Sequence, residues 1–156
     1  MKKTNAIRIL ESFGIKYETA EYNFTEFEID AINVAKKINA AGNSVFKTLV
    51  TRGDKTGINV FCIPADAELN LKKAAIVSGN KKIEMVHVKE LLPLTGYIRG
   101  GCSPIGMSKN YTTFIEETAQ LFDMIFVSAG IRGLQVKISP IDLAKVTGAE
   151  FKNIII

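Results

Sequence analysis

Residues 95 to 106 read TGYIRGGCSPIG and hold four glycines and a proline in a stretch that fits neither helical nor strand periodicity. Glycine lets a main chain approach a ligand closely, so the successive N–H groups of Gly100, Gly101, Cys102 and Ser103, ending at Pro104, can meet a carbonyl or an oxyanion. The same composition also fits a tight structural turn. Lys47 lies inside a β-rich run, where alternation sends Phe46 and Thr48 to one face and the ammonium to the other, toward solvent or an anionic ligand. Cys102 would need a depressed pKa to serve as a nucleophile, and the only helpers in reach along the chain are Arg99 and backbone amides. We read it as no nucleophile.

The rest of the chemical inventory excludes more than it offers. The single histidine, His87, borders a lysine-rich stretch and reads as a surface residue near a helix start, so a Ser-His-Asp or Cys-His site is not expected. Zinc would require Cys62, His87 and Cys102 to converge without any close ligand pair, and no metal or cofactor is expected. Gly101 to Gly106 has the glycine spacing of a phosphate-binding loop, but Met107 and Ser108 stand where it would carry Lys and Ser/Thr. Gly130 and Gly133 lack the third glycine and the strand-to-helix setting of a dinucleotide fingerprint.

With 156 residues, 47% of them hydrophobic and 23% charged, the chain is expected to form one globular domain over residues 1–156. No apolar run reaches membrane-span length, and Arg8 and Glu11 interrupt the N-terminal segment, so no membrane and a cytoplasmic location with free thiols are expected. The net charge of +4 is unevenly placed: residues 71–110 hold seven bases and two acids, and the remainder is near neutral. That block is either a solvated face or a footprint for an anionic partner.

The elements that must position these groups follow from spacing. Ile7, Leu10 and Phe13 predict a helix capped by Thr4 and stopped at Gly14. Residues 17–22 predict a strand, and Thr25 to Glu28 have capping-box spacing ahead of a helix over 30–39. Two β-rich runs, 45–51 and 58–63, predict a hairpin, and Asn70 caps a helix over 71–78 that ends at Gly79. A short helix over 88–92 should stop at Pro93. Residues 124–128 and 134–139 predict a second hairpin, Pro140 opens a helix to Thr147, and 151–156 is β-prone. Hairpins mixed with short helices indicate an α+β, mixed α/β fold with a largely antiparallel or mixed central sheet and peripheral helices.

The segments VFKTLV (45–50), LNLKKAA (69–75), KKIEM (81–85), TGYIRGGCSPIG (95–106) and VSAGIRG (127–133) resemble, in order and spacing, the bacterial YbaK family over nearly the whole chain. That family is similar to the editing domain inserted in many bacterial prolyl-tRNA synthetases, and its namesake hydrolyses cysteinyl-tRNA(Pro). The resemblance implies that Lys47 lies near the 3′-terminal adenosine and phosphate, and that the loop from Gly100 through Gly101, Cys102 and Ser103 to Pro104 surrounds the aminoacyl ester. It implies that Tyr22 and Phe27 flank the pocket, with Phe46 and Thr48 beside the lysine. Ser128, Ala129, Gly130 and Arg132 then lie near the aminoacyl side chain. Ala129 departs from the family's more usual second glycine. The histidine of alanine-editing relatives has no counterpart near Ser128, which points to the cysteine branch.

In the YbaK mode the substrate's own thiol attacks its ester carbonyl, so the protein needs to supply only orientation and amide donors. The implied activity is trans-acting deacylation of Cys-tRNA(Pro), with prolyl-tRNA synthetase as the implied partner. Two alternatives stand beside it. One is an Ala-tRNA(Pro) deacylase using a water nucleophile, and the other is a non-catalytic module that binds tRNA or the synthetase.

Overall fold

A computed structural model describes residues 3–156 of the chain. Five α-helices, α1 (Asn5–Ser12), α2 (Ala31–Lys37), α3 (Leu71–Ser78), α4 (Val88–Thr95) and α5 (Pro140–Thr147), surround two sheets. The eight strands are β1 (Glu18–Glu21), β2 (Phe46–Gly53), β3 (Gly57–Pro64), β4 (Ile83–Met85), β5 (Thr112–Glu116), β6 (Ile125–Ser128), β7 (Leu134–Ile138) and β8 (Glu150–Lys152). One sheet is antiparallel in the order β1-β7-β6. The other is mixed in the order β4-β2-β3-β5-β8, with β5 parallel to both β3 and β8 and the remaining pairs antiparallel. This is the α+β arrangement expected from the alternation of hairpins and helices. The strands divide between two sheets rather than one because a single bridge, Val45 to Phe126, is what joins them.

Capping chemistry sets most helix starts. Thr4 accepts from the Ile7 N–H and Asn70 from those of Lys72 and Lys73, as the sequence signals require, and Ser139, read in the sequence as a strand end, caps the helix that Pro140 opens by accepting from the Asp142 N–H. The start of α2 differs from expectation. Its cap is Asp30, whose carboxylate accepts from Asn33, while Thr25 and Glu28 close a turn upstream. The end of α4 differs too, since Pro93 lies inside the helix, which runs on to Thr95. Proline removes only one N–H, and the final turn is held by the Gly96 N–H to the Leu92 carbonyl and the Thr95 hydroxyl to the Leu91 carbonyl. His87 is the exposed N-cap of α4, its own N–H donating to the Glu90 carboxylate.

The run Val60 to Ile63 is apolar without alternation because β3 is covered on both faces. Phe61 and Ile63 pack with Ala74, Ala75, Phe114 and Ile154, whereas Cys62 joins the larger cluster of α1, β6, β7 and α5. Strands β4, β5 and β8 and the 3₁₀ turn Glu117–Leu121 carry weak periodicity, and of these only β8 is partly covered by a predicted strand. Glu116, 1% exposed, ties the C-terminal segment and the 3₁₀ turn to β5, its carboxylate accepting from the N–H groups of Thr118 and Ile154.

One contact links helix α1 to the turn after β6. The Thr4 hydroxyl, besides capping α1, donates to the Ala129 carbonyl at 2.6 Å. Thr4→Val therefore removes a cap and a buried hydrogen bond together, and is expected to lower unfolding free energy by about 1–3 kcal/mol. The urea midpoint, at unchanged slope, measures it; a shift within error would show that the link carries no stability.

Candidate active site

The first turn of α2, the start of β2, the loop after α4 and the ends of β6 and β7 converge on a cleft of about 300 Å³. Phe46, Lys47, Thr48, Gly100, Cys102 and Ser128 all line it, so the structure brings together residues spread over 82 positions of sequence, from 46 to 128. Lys47 is half-buried, its Nζ donating to the Ala65 carbonyl at 3.3 Å, and it forms no ion pair among the described residues. Burial pushes its ammonium below the ordinary lysine range, while the fields of Glu68, Asp66 and Asp30 pull the other way.

The glycine loop is held at contact distance from its surroundings. Gly100 has φ +85°, and a Cβ there would stand 2.8 Å from the Ile29 Cβ and 3.2 Å from the Arg132 Nε. A Cβ on Gly101 would stand 3.0 Å from the Arg132 backbone nitrogen. The pair thus passes between α2's approach segment and the turn after β6, where no side chain fits. Two bonds fix the loop: the Arg132 Nε donates to the Arg99 carbonyl at 2.8 Å, and the buried Tyr97 hydroxyl donates to the Ile105 carbonyl. The Tyr97 ring also covers Gly130, where a Cβ would lie 2.9 Å from the ring edge.

Several sequence-predicted residues lie behind or beside the cleft instead of on its lining. The Gly101 N–H is taken by the Ile98 carbonyl at 2.9 Å, and Ser103, fully buried, accepts from the Ile105 N–H. Pro104 lines a separate hollow with Ile9 and Phe13. Ala129 is buried, and Gly130 donates to the Ser128 hydroxyl at 3.1 Å. Arg132 acts on the loop, as described. Tyr22 donates its N–H to the Gly133 carbonyl and sets its ring edge-on to Phe24, while Phe27 is 93% exposed, outside the cleft. Of the seven bases in the 71–110 block only Arg99 lines the cleft; Lys72, Lys73, Lys81, Lys82 and Lys89 lie on α3, β4's approach and α4, and Lys109 lines the separate hollow with Pro104.

Two cleft groups escaped the sequence reading. Asp30 caps α2 with both carboxylate oxygens bonded to Asn33; burial raises its pKa, and those bonds outweigh it and hold the carboxyl below the usual range. Gln135 on β7 stands directly across from Ser128 in the β6–β7 register. Its signal was present in the alternation of LQVKI, where Leu134, Val136 and Ile138 are apolar and Gln135 falls on the opposite face. Neither cysteine is poised as a thiolate. Burial pushes the Cys62 thiol up to about 12 and the Cys102 thiol up to about 11, with the Thr95 hydroxyl opposing the latter. Among the described residues no three His, Cys, Asp or Glu side chains assemble into a metal-binding group, and no helix is long and apolar enough to cross a membrane.

The solved structure "Crystal structure of a putative trans-editing enzyme for prolyl tRNA synthetase" superimposes with a TM-score of 0.84 at 22% identity over 99% of each chain. That of "hypothetical protein APE2540" gives 0.86 at 19% identity over 96% of this chain and 97% of the other. These likenesses establish the fold. The Enterococcus faecalis protein named "Putative Cys-tRNA(Pro)/Cys-tRNA(Cys) deacylase EbsC" is 46% identical over 153 residues, 98% of this chain and 93% of that one. The sequence model of the aminoacyl-tRNA editing domain matches residues 29–146. The chain belongs to that family, as the YbaK resemblance implied, and is an aminoacyl-tRNA deacylase, a hydrolase of the aminoacyl ester.

The thiol chemistry gives a direct check. With its pKa pushed up to about 11, Cys102 is expected to react with iodoacetamide at pH 8 about a hundredfold more slowly than free cysteine, and to accelerate through pH 10. Mass-spectrometric alkylation rates read this; a fast reaction at pH 8 would mean an activated thiol.

Proposed function

We propose that the chain, acting in trans as one editing domain over residues 1–156 in the cytoplasm, hydrolyses cysteine mischarged on tRNA(Pro) by substrate-thiol assistance. The observation that carries this reading is the absence, among the described cleft residues, of a group ready to act as nucleophile or base. Cys102 is a protonated thiol, Asp30 is held by Asn33, and His87 is exposed at the start of α4. The relative at 46% identity carries Cys-tRNA(Pro) in its name, which supports cysteine as the substrate side chain.

In this mechanism the substrate's sulfur forms a bond to its own ester carbonyl, the bond from that carbon to the 3′-oxygen breaks, and the thiol's proton ends on the 3′-hydroxyl of the released tRNA. A cyclic thiolactone leaves and later takes up water. Lys47 positions the phosphate and 3′-terminal nucleoside and offsets their charge. The Gly100 and Cys102 main chain lies along the ester, where negative charge develops, and Ser128 borders the side-chain pocket. Gly101, Ser103, Pro104, Ala129, Gly130 and Arg132 support these groups from behind. Prolyl-tRNA synthetase serves as partner and supplies recognition of the tRNA body, a reading supported by the structural neighbour described as a "putative trans-editing enzyme for prolyl tRNA synthetase".

Lys47→Ala is expected to lower kcat/KM on Cys-tRNA(Pro) about a hundredfold or more with little change in melting temperature, whereas Cys102→Ala keeps substantial activity. Full activity in Lys47→Ala would remove the core of the assignment. Wild-type rates on Cys-tRNA(Pro) should rise with pH toward the substrate thiol pKa of about 8.5, and Ser-tRNA(Pro) and Ala-tRNA(Pro) should be cleaved at least about a hundredfold more slowly. Ready release of alanine would demand a water nucleophile, and cleavage of no ester even with the synthetase added would leave a binding module.

A further inference from the structure

Two residues that line the cleft, Thr48 and Gln135, each carry a buried side-chain oxygen without a hydrogen-bond partner among the described residues, and the reaction above uses neither. Gln135 is the more deeply buried of the two, 5% exposed, and its Oε1 has no hydrogen-bond partner among the described residues. Its neighbours Leu134 and Val136 face the apolar core of α1 and β6, so an apolar side chain at 135 would remove an unpaired acceptor at no loss to that core. A buried amide oxygen without a partner, on a side chain that lines a ligand cleft, marks a place where a small turn of the amide lets a ligand bring the donor. Gln135 stands directly opposite Ser128 in the strand register, and the Ser128 oxygen is already an acceptor, from the Gly130 N–H.

We propose that Gln135 binds the α-amino group of the aminoacyl ester, so that the site takes aminoacyl-tRNA with a free amine and rejects N-acylated, peptidyl-like esters. The assignment rests on the deacylase reading and adds to it the group that orients the amino acid. An aminoacyl ester brings three polar groups near Ser128. Its carbonyl is an acceptor, and its thiol is a weak donor whose proton leaves during the reaction. The α-amino group alone is a strong donor present throughout, and it matches a neutral amide oxygen. Asp30, a carboxylate that lines the same cleft, lessens the repulsion a second cation would meet from Lys47. Anchoring the amine on one side of the α-carbon leaves the thiol to swing toward the carbonyl at the glycine loop.

The test uses the purified full-length protein with Cys-tRNA(Pro) and N-acetyl-Cys-tRNA(Pro), and with the non-hydrolysable 3′-cysteinylamino-3′-deoxyadenosine and its N-acetyl form in calorimetric titration. Wild type is expected to favour the free amine by about tenfold or more in both kcat/KM and Kd. Gln135→Leu and Gln135→Met should bring that preference to within about twofold while holding or raising the melting temperature, and Gln135→Glu, which keeps an acceptor, should retain it. Equal handling of the two amines by wild type, or a preference that survives in folded Gln135→Leu or Gln135→Met, would overturn the assignment. If wild type cleaves neither ester yet still binds the free-amine analogue more tightly, the deacylase reading falls and the Gln135 assignment stands.

Discussion

The close passage of Gly100 and Gly101 between Ile29 and the turn at 131–132 is the contact on which the site depends. Separate elements meet there: the approach to α2, the loop after α4, and the turn joining β6 to β7. Any Cβ at these positions would push them apart by collision with the Ile29 side chain or with main-chain atoms of the turn. Arg132, reaching back to the Arg99 carbonyl, and Tyr97, bonded to the Ile105 carbonyl and packed on Gly130, hold the passage from both ends. Through Thr4 the same turn is also fastened to the first helix. A cleft floor made this way is preorganised main chain, and preorganised dipoles stabilise developing charge without having to reorient during reaction.

Electrostatics in the cleft are balanced rather than strongly positive. One half-buried lysine faces three carboxylates at a distance, and most of the chain's basic excess lies on α3, α4 and the edge near β4. This division separates two tasks. A single half-buried cation can place an anion without binding any polyanion tightly, whereas exposed lysines attract polyanions weakly and in a salt-dependent way. The thiols follow the same economy of charge, because burial disfavours the thiolate at both Cys62 and Cys102.

Much of this was legible in the residues themselves. Thr4, Asn70 and Pro140 announce their helices because the start of a helix is a local interaction, decided within four residues. The two hairpins follow from β-rich runs around turn residues. The Thr25 box failed because Asp30, closer to the first helical turn and able to bond Asn33 twice, competes for the same helix start. The reach of α4 past Pro93 was hidden because the compensating bonds involve Gly96 and a threonine hydroxyl. Short strands β4 and β5 have too few residues to show a period, and their partners are distant in sequence.

For the site, sequence alone determined the chemistry available: a lysine in a strand, a glycine loop, no second histidine, and cysteines without activating neighbours. Those are properties of residue types and near spacing, and they survive whatever the chain does at long range. Only the tertiary structure decided which of these groups share a cleft. It placed Gly100, Cys102, Lys47 and Ser128 together, set Gly101, Ser103, Pro104 and Ala129 behind them, left Phe27 in solvent, and brought in Gln135. The physical reason is that cleft membership depends on strand register and on which face a residue takes. Both are fixed by pairing between distant segments, as in the β6–β7 alignment that sets Gln135 against Ser128.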